Sequence, residues 1–266
     1  MTADDRAARA AKVLARSRLS YSLFDGFSDD LRPEDEAQAY AIQAKLHPLL
    51  SAGGLGQIVG HKIGCTTPVM QAYLGIGNPC AGRVFDTTVH TEFGEYEHHG
   101  RIRIGVECEI AVRLGQDIAP RSGYTFSAAD VRPAVAACMA AIEVVEDRYV
   151  DYPSLDTPTL IADDFFNAGA VLGPEHDDFD PAHLVDVTAY MVIDRERVGS
   201  GVGSDVLGNP LDALAWLATN ASSRGTTLHS GEFVVLGSLV QTHWIASGSI
   251  VEVVNEPLGR VGAAFS

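Results

Sequence analysis

Two glutamates, two residues apart in an apolar stretch, are the first candidates for chemistry in this sequence. Glu107 and Glu109 lie in Gly105-Val106-Glu107-Cys108-Glu109-Ile110-Ala111-Val112. In a β-strand alternate side chains share a face, so both carboxylates would point the same way. Burying two like charges together is costly unless a positive charge, such as a divalent cation, compensates them. Spacing alone leaves open the more ordinary alternative, a strand whose glutamates face water.

A third glutamate, Glu143, lies among apolar neighbours in Ile142-Glu143-Val144-Val145. Two neighbouring strands that each contribute glutamates could place three carboxylates around one ion. Carboxylate oxygens suit Mg²⁺, Mn²⁺ or Ca²⁺, and three ligands leave positions for water or a bidentate substrate. The alternative is that Glu143 pairs with an arginine such as Arg148.

Lys62 is the candidate for proton transfer, because it lies between glycines in Gly60-His61-Lys62-Ile63-Gly64. Glycines in a short strand allow close backbone approach. A partly desolvated lysine near a metal has a lowered pKa and can act as an acid or base. The alternative is a solvated surface lysine, which is the commoner case for any single lysine.

Other motifs in the sequence give weaker indications of a functional site. Gly199-x-Gly201-x-Gly203 lacks the spacing of a dinucleotide-binding loop, and we interpret these glycines as tight backbone turns. No histidine pair has zinc-type spacing, and no Gly-x-Ser-x-Gly elbow is present. His243 is predicted in a loop after a strand, where a side chain can serve a site.

Composition narrows the class of partner. The 266 residues have a formal net charge of −16, which argues against nucleic acid and anionic membrane surfaces as partners. The four cysteines form no Cys-x-x-Cys pair and are interpreted as reduced thiols of a cytoplasmic protein. We find no signal-peptide pattern and no apolar run of the roughly 18 residues that a membrane span needs.

The elements that must position these residues are helices first and strands later. Residues 3–18 and 33–50 predict two helices, so residues 1–55 form a helical N-terminal segment. Residues 56–266 are predicted to be a β-rich catalytic body with one main core, which makes the chain α+β. Within that body, residues 127–141 are predicted to be a helix of small residues opened by Ser127.

Several segments together resemble the fumarylacetoacetate hydrolase superfamily, and within it the branch of 2-keto-4-pentenoate hydratases and 4-oxalocrotonate decarboxylases. The similar segments span most of the chain from about residue 10 onward. They are Gly60–Gly64, Gly105–Ala111, Ile142–Val145, Val206-Leu207-Gly208-Asn209-Pro210-Leu211 with Trp216-Leu217-Ala218, and Val261–Ser266.

The resemblance implies a rolled mixed β-sheet with a helical N-terminal part. It also implies that Glu107, Glu109 and Glu143 bind Mg²⁺ or Mn²⁺ and that Lys62 is the catalytic lysine. The implied substrates are small 2-oxo acids or their enols. The implied assembly is a homo-oligomer. A homologous decarboxylase is a further candidate partner, with which the protein would form a complex.

The chain departs from the hydratase pattern at two places. Related hydratases usually have an acidic residue after the proline of Pro-Asp-x-Gly, whereas this chain has Pro79-Cys80-Ala81-Gly82. The stretch Ala162–Gly169 also differs from the serine-containing form of those enzymes. We therefore name Cys80, Asp164 and His243 as candidate substrate-binding residues.

The leading hypothesis from the sequence is a metal-dependent hydratase of a 2-hydroxy-2,4-dienoate in the catabolism of aromatic-type compounds. The alternatives are a decarboxylase of an oxalocrotonate-like 2-oxo diacid and a hydrolase of the C–C bond of an acylpyruvate. A hypothesis of a different class is a non-catalytic partner subunit. The presence of all four candidate residues, Lys62 and the three glutamates, argues against that last hypothesis.

Overall fold

The computed structural model describes residues 2–98 and 100–266, which form two mixed β-sheets with helices around them. The α-helices of this part are α1 (Ala3–Leu19), α2 (Glu36–Leu50), α3 (Pro68–Leu74), α4 (Ala128–Val131), α5 (Thr157–Ala162) and α6 (Pro210–Ser223). The strands are β1 (Ile58–Gly64), β2 (Cys80–Phe85), β3 (Val89–Thr91), β4 (Phe93–Tyr96), β5 (Ile104–Leu114), β6 (Val135–Glu146), β7 (Asn167–Leu172), β8 (Thr188–Ile193), β9 (Glu196–Val202), β10 (Phe233–Trp244), β11 (Ile250–Glu256) and β12 (Gly259–Phe265).

α1 begins at Ala3 as predicted, whereas α2 begins at Glu36, after the predicted start at Pro33. The Thr2 hydroxyl accepts from the Asp5 N–H and opens α1, and the Asp35 carboxylate accepts from the Gln38 N–H and opens α2. α1 packs against α2, and a π-helical turn over Ser51–Leu55 follows α2. Strand structure starts after this turn, with β1. No helix in the described part of the chain is both long and apolar enough to cross a membrane.

The α+β class is confirmed, with the strands divided between two mixed sheets. The larger sheet has the order β2-β1-β10-β5-β6-β7-β3, and the smaller has the order β4-β12-β11-β8-β9. β11 and β12 pack against β6, and β8 and β9 pack against β10, so one core lies between the sheets. Even-numbered residues of β5 such as Cys108 and Ile110 belong to this core. Odd-numbered residues of β5, including both glutamates, therefore lie on the opposite face.

The predicted helix over residues 127–141 is wrong beyond its first turn. α4 ends at Val131, and residues 135–146 are the strand β6. Pro133 removes a backbone donor and ends the helix. β6 then pairs with β5 on one side and β7 on the other, and Ala137, Ala140 and Ala141 are small residues of a central strand buried on both faces. Tertiary pairing overrides the helix propensity of alanine here.

Two smaller expectations also change. Gly199 and Gly201 lie within β9 and not in tight turns, and a Cβ at Gly201 would lie 2.0 Å from the Leu239 carbonyl oxygen, whereas Gly203 begins a 3-10 turn. His243 lies within β10 and not in a loop, because β10 extends to Trp244.

Candidate metal centre

The three glutamates predicted to bind metal form one cluster. β5 and β6 are antiparallel, and their register places Glu107 directly opposite Glu143, with Glu109 two residues along β5. One carboxylate oxygen of each residue lies within 4.8 Å of the others. Like charges directly opposite each other destabilise a sheet, so this arrangement needs compensation.

The carboxylates of Glu109 and Glu143 are fully buried, and each has one oxygen without a partner. The Gly237 N–H donates to Glu109 Oε2 at 2.6 Å, and the Asn167 side-chain amide donates to Glu143 Oε1 at 2.9 Å. Among the described residues, Glu109 Oε1 and Glu143 Oε2 have no hydrogen-bond partner. Glu107 is partly buried and accepts from the Thr242 hydroxyl. Buried carboxylate oxygens left without donors match the ligand set of a hard divalent cation.

Burial and neighbouring charges disfavour the ionised forms of Glu109 and Glu143. Burial and the neighbouring carboxylates of Glu143 and Glu107 raise the pKa of Glu109 well above its usual value. Burial raises the pKa of Glu143 to about 7, although Lys62 opposes the shift. At neutral pH the cluster therefore favours taking up a positive charge, which a proton or a cation can supply.

Lys62 joins this cluster from β1. Its Nζ lies 3.2 Å from Glu143 Oε1, and only 2% of the residue is exposed, so it is not a solvated surface lysine. Burial lowers the pKa of Lys62, but the carboxylates of Glu143, Glu107 and Glu109 outweigh that effect and raise the pKa above its usual value. Desolvation alone predicts the opposite shift. The lysine is therefore a charged partner of the cluster.

The expected close backbone approach around Lys62 is present. A Cβ at Gly60 would lie 2.6 Å from the ring of Phe233, and a Cβ at Gly64 would lie 2.7 Å from the ring of Phe165. Both contacts are shorter than real Cβ atoms show. The two glycines therefore allow aromatic rings to pack against the strand on either side of the lysine.

Cys80 lies beside the cluster. In the antiparallel pair of β1 and β2, Cys80 is opposite Gly64 and therefore on the same face as Lys62. A hydrogen bond with the Cys65 thiol, together with burial, raises the pKa of Cys80 well above its usual value. Cys80 is therefore a neutral thiol next to the site.

Asp164 is buried and fully engaged by the protein. Its Oδ2 accepts from Arg18 at 2.7 Å, and its Oδ1 lies 2.8 Å from His47 Nε2 and 3.0 Å from the Arg83 backbone nitrogen. Burial alone would raise the pKa of Asp164, but His47 and Arg18 outweigh it and hold the pKa well below its usual value. Asp164 thus links the N-terminal helices to the body of the protein.

His243 does not join the glutamates. It pairs with Val106 in the sheet of β10 and β5, and Val106 alternates with Glu107. Because directly paired residues share a face, His243 lies on the opposite face from the carboxylates. Its neighbour Thr242 instead reaches Glu107.

The structure adds three residues that sequence reasoning did not assign, namely the donors Gly237, Thr242 and Asn167. Asn167 lies within the stretch that departs from the hydratase pattern, which was the one available signal for it. Gly237 could not be assigned from the sequence, because its contact depends on a backbone φ of +132° and on a register shift in β10.

The chain matches one protein family over most of its length. The family profile described as "Fumarylacetoacetate (FAA) hydrolase C-terminal" matches residues 86–265. The chain is 33% identical over 271 residues to a 2-keto-4-pentenoate hydratase of Paraburkholderia phymatum, with all of both chains covered.

Solved structures of a related enzyme have the same fold. The 4-oxalocrotonate decarboxylase of Pseudomonas putida G7, complexed with magnesium and adipate, superposes with a TM-score of 0.91 at 25% identity. The comparison covers 100% of this chain and 99% of that one. A second structure of the same decarboxylase, complexed with calcium and acetate, superposes with a TM-score of 0.90, 25% identity and the same coverage.

Proposed function

Because this chain belongs to the fumarylacetoacetate hydrolase family, we propose that it is a divalent-metal-dependent lyase that hydrates a 2-hydroxy-2,4-dienoate. The observation that carries this proposal is the buried cluster of Glu107, Glu109 and Glu143 with Lys62 in contact with it. The full-length similarity to a 2-keto-4-pentenoate hydratase supports the substrate class. The reaction belongs to the catabolism of aromatic-type compounds.

The three glutamates are proposed to hold the cation, Mg²⁺ or Mn²⁺. Two of them offer buried oxygens without donors, which suits a metal and not a further hydrogen bond. The relatives' structures contain magnesium or calcium, which supports a hard divalent ion. When bound, the cation would act as a Lewis acid that stabilises negative charge on the enolate oxygen of a 2-oxo acid.

The chain's own groups supply proton transfer and exclusion of water. The enol oxygen of the dienol loses its proton to solvent, and Lys62 Nζ is proposed to give a proton to the carbon skeleton of the resulting dienolate, which yields the keto form; the neutral amine takes the proton back in the reverse direction. Its contact with Glu143 fixes its position beside the ligands. The burial of Lys62, Glu109 and Glu143 keeps bulk water away from the enolate.

Of the three substrate-binding residues that the sequence suggested, only Cys80 is kept in the proposed substrate site. Cys80 is proposed to form part of the wall of the substrate site, because it shares the face of Lys62 and is neutral. Asp164 and His243 are left out of the substrate site, because the former is bound by Arg18 and His47 and the latter lies on the opposite face.

A second candidate function is decarboxylation of a 2-oxo diacid, in which the same enolate forms as CO₂ leaves. Cys80 favours it, because related hydratases usually have an acidic residue at this position, and the decarboxylase fold matches over the whole chain. Hydrolysis of an acylpyruvate C–C bond and a non-catalytic partner role are the remaining alternatives, and neither has a specific contact in its favour.

The proposed setting is a cytoplasmic homo-oligomer that acts on a small-molecule 2-oxo acid. Four free cysteines support a reducing compartment. A complex with a homologous decarboxylase is part of the same proposal, because hydration and decarboxylation use the same class of enol.

The reaction is tested by incubating the protein with Mg²⁺ and 2-hydroxypenta-2,4-dienoate and following the dienol absorbance. We expect loss of absorbance much faster than spontaneous ketonisation, with 4-hydroxy-2-oxopentanoate as product, and chelation of the metal should abolish it. CO₂ release from 2-oxohex-3-enedioate without hydration of the dienoate would instead establish the decarboxylase. Activity that appears only after a homologue is added would establish the partner role.

The metal ligands are tested by calorimetric titration of Glu107→Gln with Mn²⁺. Loss of even an outer partner of a metal ligand typically lowers affinity about 10–100-fold, so loss of the Glu107 charge should lower it by at least that factor. Glu252→Gln, which changes a partly exposed glutamate on β11, is the control and should bind Mn²⁺ as the wild type does. Unchanged Mn²⁺ affinity in Glu107→Gln would show that the cluster is not the metal site.

A further inference from the structure

The Phe165 ring lies over the ammonium group of Lys62. Nζ is 5.1 Å from the ring centroid, and only 6% of Phe165 is exposed. We propose that Phe165 is a positioning residue that holds Lys62 Nζ in place beside Glu143 by a cation–π contact. This inference rests on the proposed role of Lys62 in proton transfer.

Lys62 needs such a restraint because its side chain is long and flexible. A lysine ammonium is a point charge on a four-carbon stem, and a single ion pair does not fix its direction. The 3.2 Å contact with Glu143 Oε1 supplies one attraction, and the face of the Phe165 ring supplies a second. Nζ is therefore restricted to positions that satisfy both contacts.

The strands beside Lys62 are built to admit this ring. A Cβ at Gly64 would lie 2.7 Å from Phe165 Cδ1 and 3.2 Å from Lys62 Nζ. A Cβ at Gly82, which is opposite Lys62 on β2, would lie 2.6 Å from the Asp164 carbonyl oxygen. Two glycines on neighbouring strands thus make room for the Phe165 ring and for the backbone that presents it.

The backbone that presents Phe165 is in an unfavourable conformation. Asp164, Phe165 and Phe166 have successive φ values of +56°, +48° and +67°. Such conformations persist only where the surroundings determine them strongly. Here the Asp164 carboxylate is bound by Arg18 of α1 and His47 of α2. The N-terminal helices therefore hold the turn that places Phe165 over Lys62.

The alternative is that Phe165 only fills space. Its ring also contacts Phe166 edge to face, with centroids 5.4 Å apart, and Phe166 in turn contacts Tyr149 and Tyr152. A packing role requires an apolar side chain of similar volume. A positioning role requires the electron-rich face of an aromatic ring.

The first test compares Phe165→Leu with Phe166→Leu. Both changes remove a ring at a residue of positive φ and keep an apolar side chain, but only Phe165 lies over Lys62. In the Mg²⁺-loaded enzyme acting on 2-hydroxypenta-2,4-dienoate, Phe165→Leu should lower kcat about tenfold. KM and Mn²⁺ affinity should change by less than about twofold, because the metal ligands are untouched. Phe166→Leu should keep kcat within about threefold of the wild type.

The second test changes the electronics of the ring while nearly keeping its shape. Phenylalanines with one, two and three ring fluorines at position 165 withdraw charge stepwise from the ring face. We expect kcat to fall with each fluorine while the thermal midpoint stays nearly constant. A kcat that does not depend on the number of fluorines would overturn the proposal, as would equal kcat losses in the two leucine variants.

A crystal structure of Phe165→Leu gives a result that does not depend on turnover. We expect Nζ to leave its 3.2 Å contact with Glu143 or to occupy more than one position. An unmoved, well-ordered Nζ would contradict the positioning role even in an active enzyme. Absence of turnover in the wild type would refute the proposed function, and the position of Nζ would still decide the role of Phe165.

Discussion

At the scale of single residues, the candidate site depends on charges that the protein itself does not fully compensate. Glu109 and Glu143 each have one oxygen with a donor and one without. Lys62 supplies one positive charge for three carboxylates. Removing a buried carboxylate from water costs free energy unless it is paired, and here the remaining compensation has to come from a proton or a cation.

A second buried titratable group, His61, lies next to Lys62 along β1 and points to the other face of the sheet. Its Nε2 lies 2.9 Å from Glu232 Oε2 and 2.8 Å from Arg83 Nη1. Burial, together with the charge of Arg83, lowers the pKa of His61 to about 4. The folded protein therefore resists protonation of this ring.

Acid should consequently destabilise the fold through His61. An unfolded histidine takes up a proton near pH 6.5 and the folded one only near pH 4. The contribution to stability is thus complete above pH 6.5 and is lost as the pH falls towards 4, by about 3 kcal/mol. Urea unfolding of the wild type and of His61→Gln, at several pH values, checks this. Glutamine has an amide oxygen that can accept from Arg83 and an amide N–H that can donate to Glu232, and it does not titrate.

Comparing the two proteins cancels the contribution of Glu143, which has the opposite sign in the same pH range. The pKa of Glu143 is raised from 4.5 to about 7, so its contribution is lost as the pH rises. Glu143 makes this contribution to stability both in the wild type and in His61→Gln. If the difference in unfolding free energy between them is constant from pH 7 to pH 4, the histidine is not titrating as described.

At the scale of elements, β10 is the strand that adapts to the site. Its pairing with β5 shifts register at three places between Val235 and His243. One of these shifts surrounds Gly237, whose N–H turns towards Glu109. Another precedes His243 and allows Thr242 to reach Glu107. Register shifts of this kind redirect individual groups, which is why they are common near active sites.

Gly237→Ala should damage this strand more than a comparable change elsewhere. The residue has a φ of +132°, and a Cβ there would lie 2.3 Å from the Thr66 hydroxyl oxygen. The matched control is Gly231→Ala, which has a φ of +89° but nothing within 4 Å of the added Cβ. Each change should lower the free energy of unfolding by about 1–3 kcal/mol because of backbone strain.

Only Gly237→Ala should add a steric cost and lower Mn²⁺ affinity, since it displaces the donor of Glu109. Urea unfolding and calorimetric titration measure the two effects. Equal losses of stability with equal Mn²⁺ affinity in the two variants would mean that the close approach at Gly237 has no energetic consequence.

At the scale of the whole molecule, buried polar contacts connect the N-terminal helices to the site. Arg18 of α1 and His47 of α2 meet at Asp164, while Arg148 donates to the neighbouring Asp163 at 3.0 Å. These groups lie far apart in sequence and close the helical segment onto the larger sheet. Removing one partner of a buried ion pair would leave the other charge buried and unpaired. This costs more free energy of folding than the intact pair contributes.

Asp164→Asn tests whether this residue is a structural link or a substrate ligand. Loss of the carboxylate should lower the free energy of unfolding by about 3–5 kcal/mol, because Arg18 would then lack its strongest partner. The control is Asp180→Asn, an exposed residue paired with Arg132, which should lower the free energy of unfolding far less, because solvent screens an exposed ion pair. Urea unfolding checks both. Wild-type stability combined with a raised KM would instead identify Asp164 as a substrate ligand.

The sequence by itself was enough for the class of the fold and, together with the family resemblance, for naming Lys62 and the three glutamates as candidates. Alternation in β5 correctly separated the glutamates from Cys108, because side-chain direction in a strand has a period of two. Helix-forming residues predicted α1, and the glycines around Lys62 signalled close packing. These features are local, so a single sequence is sufficient to find them.

Features that depend on pairing between distant segments of the chain are seen only in the tertiary structure. Ala140 and Ala141 favour a helix locally, yet β5 and β7 bind this segment from both sides as a strand. Glu107 and Glu143 lie 36 positions apart along the chain, and their direct opposition requires the register of two strands. The position of the Phe165 ring over Lys62 requires a turn held by residues from two helices. Register and long-range contacts have no period in the sequence, and for that physical reason only the folded chain reveals them.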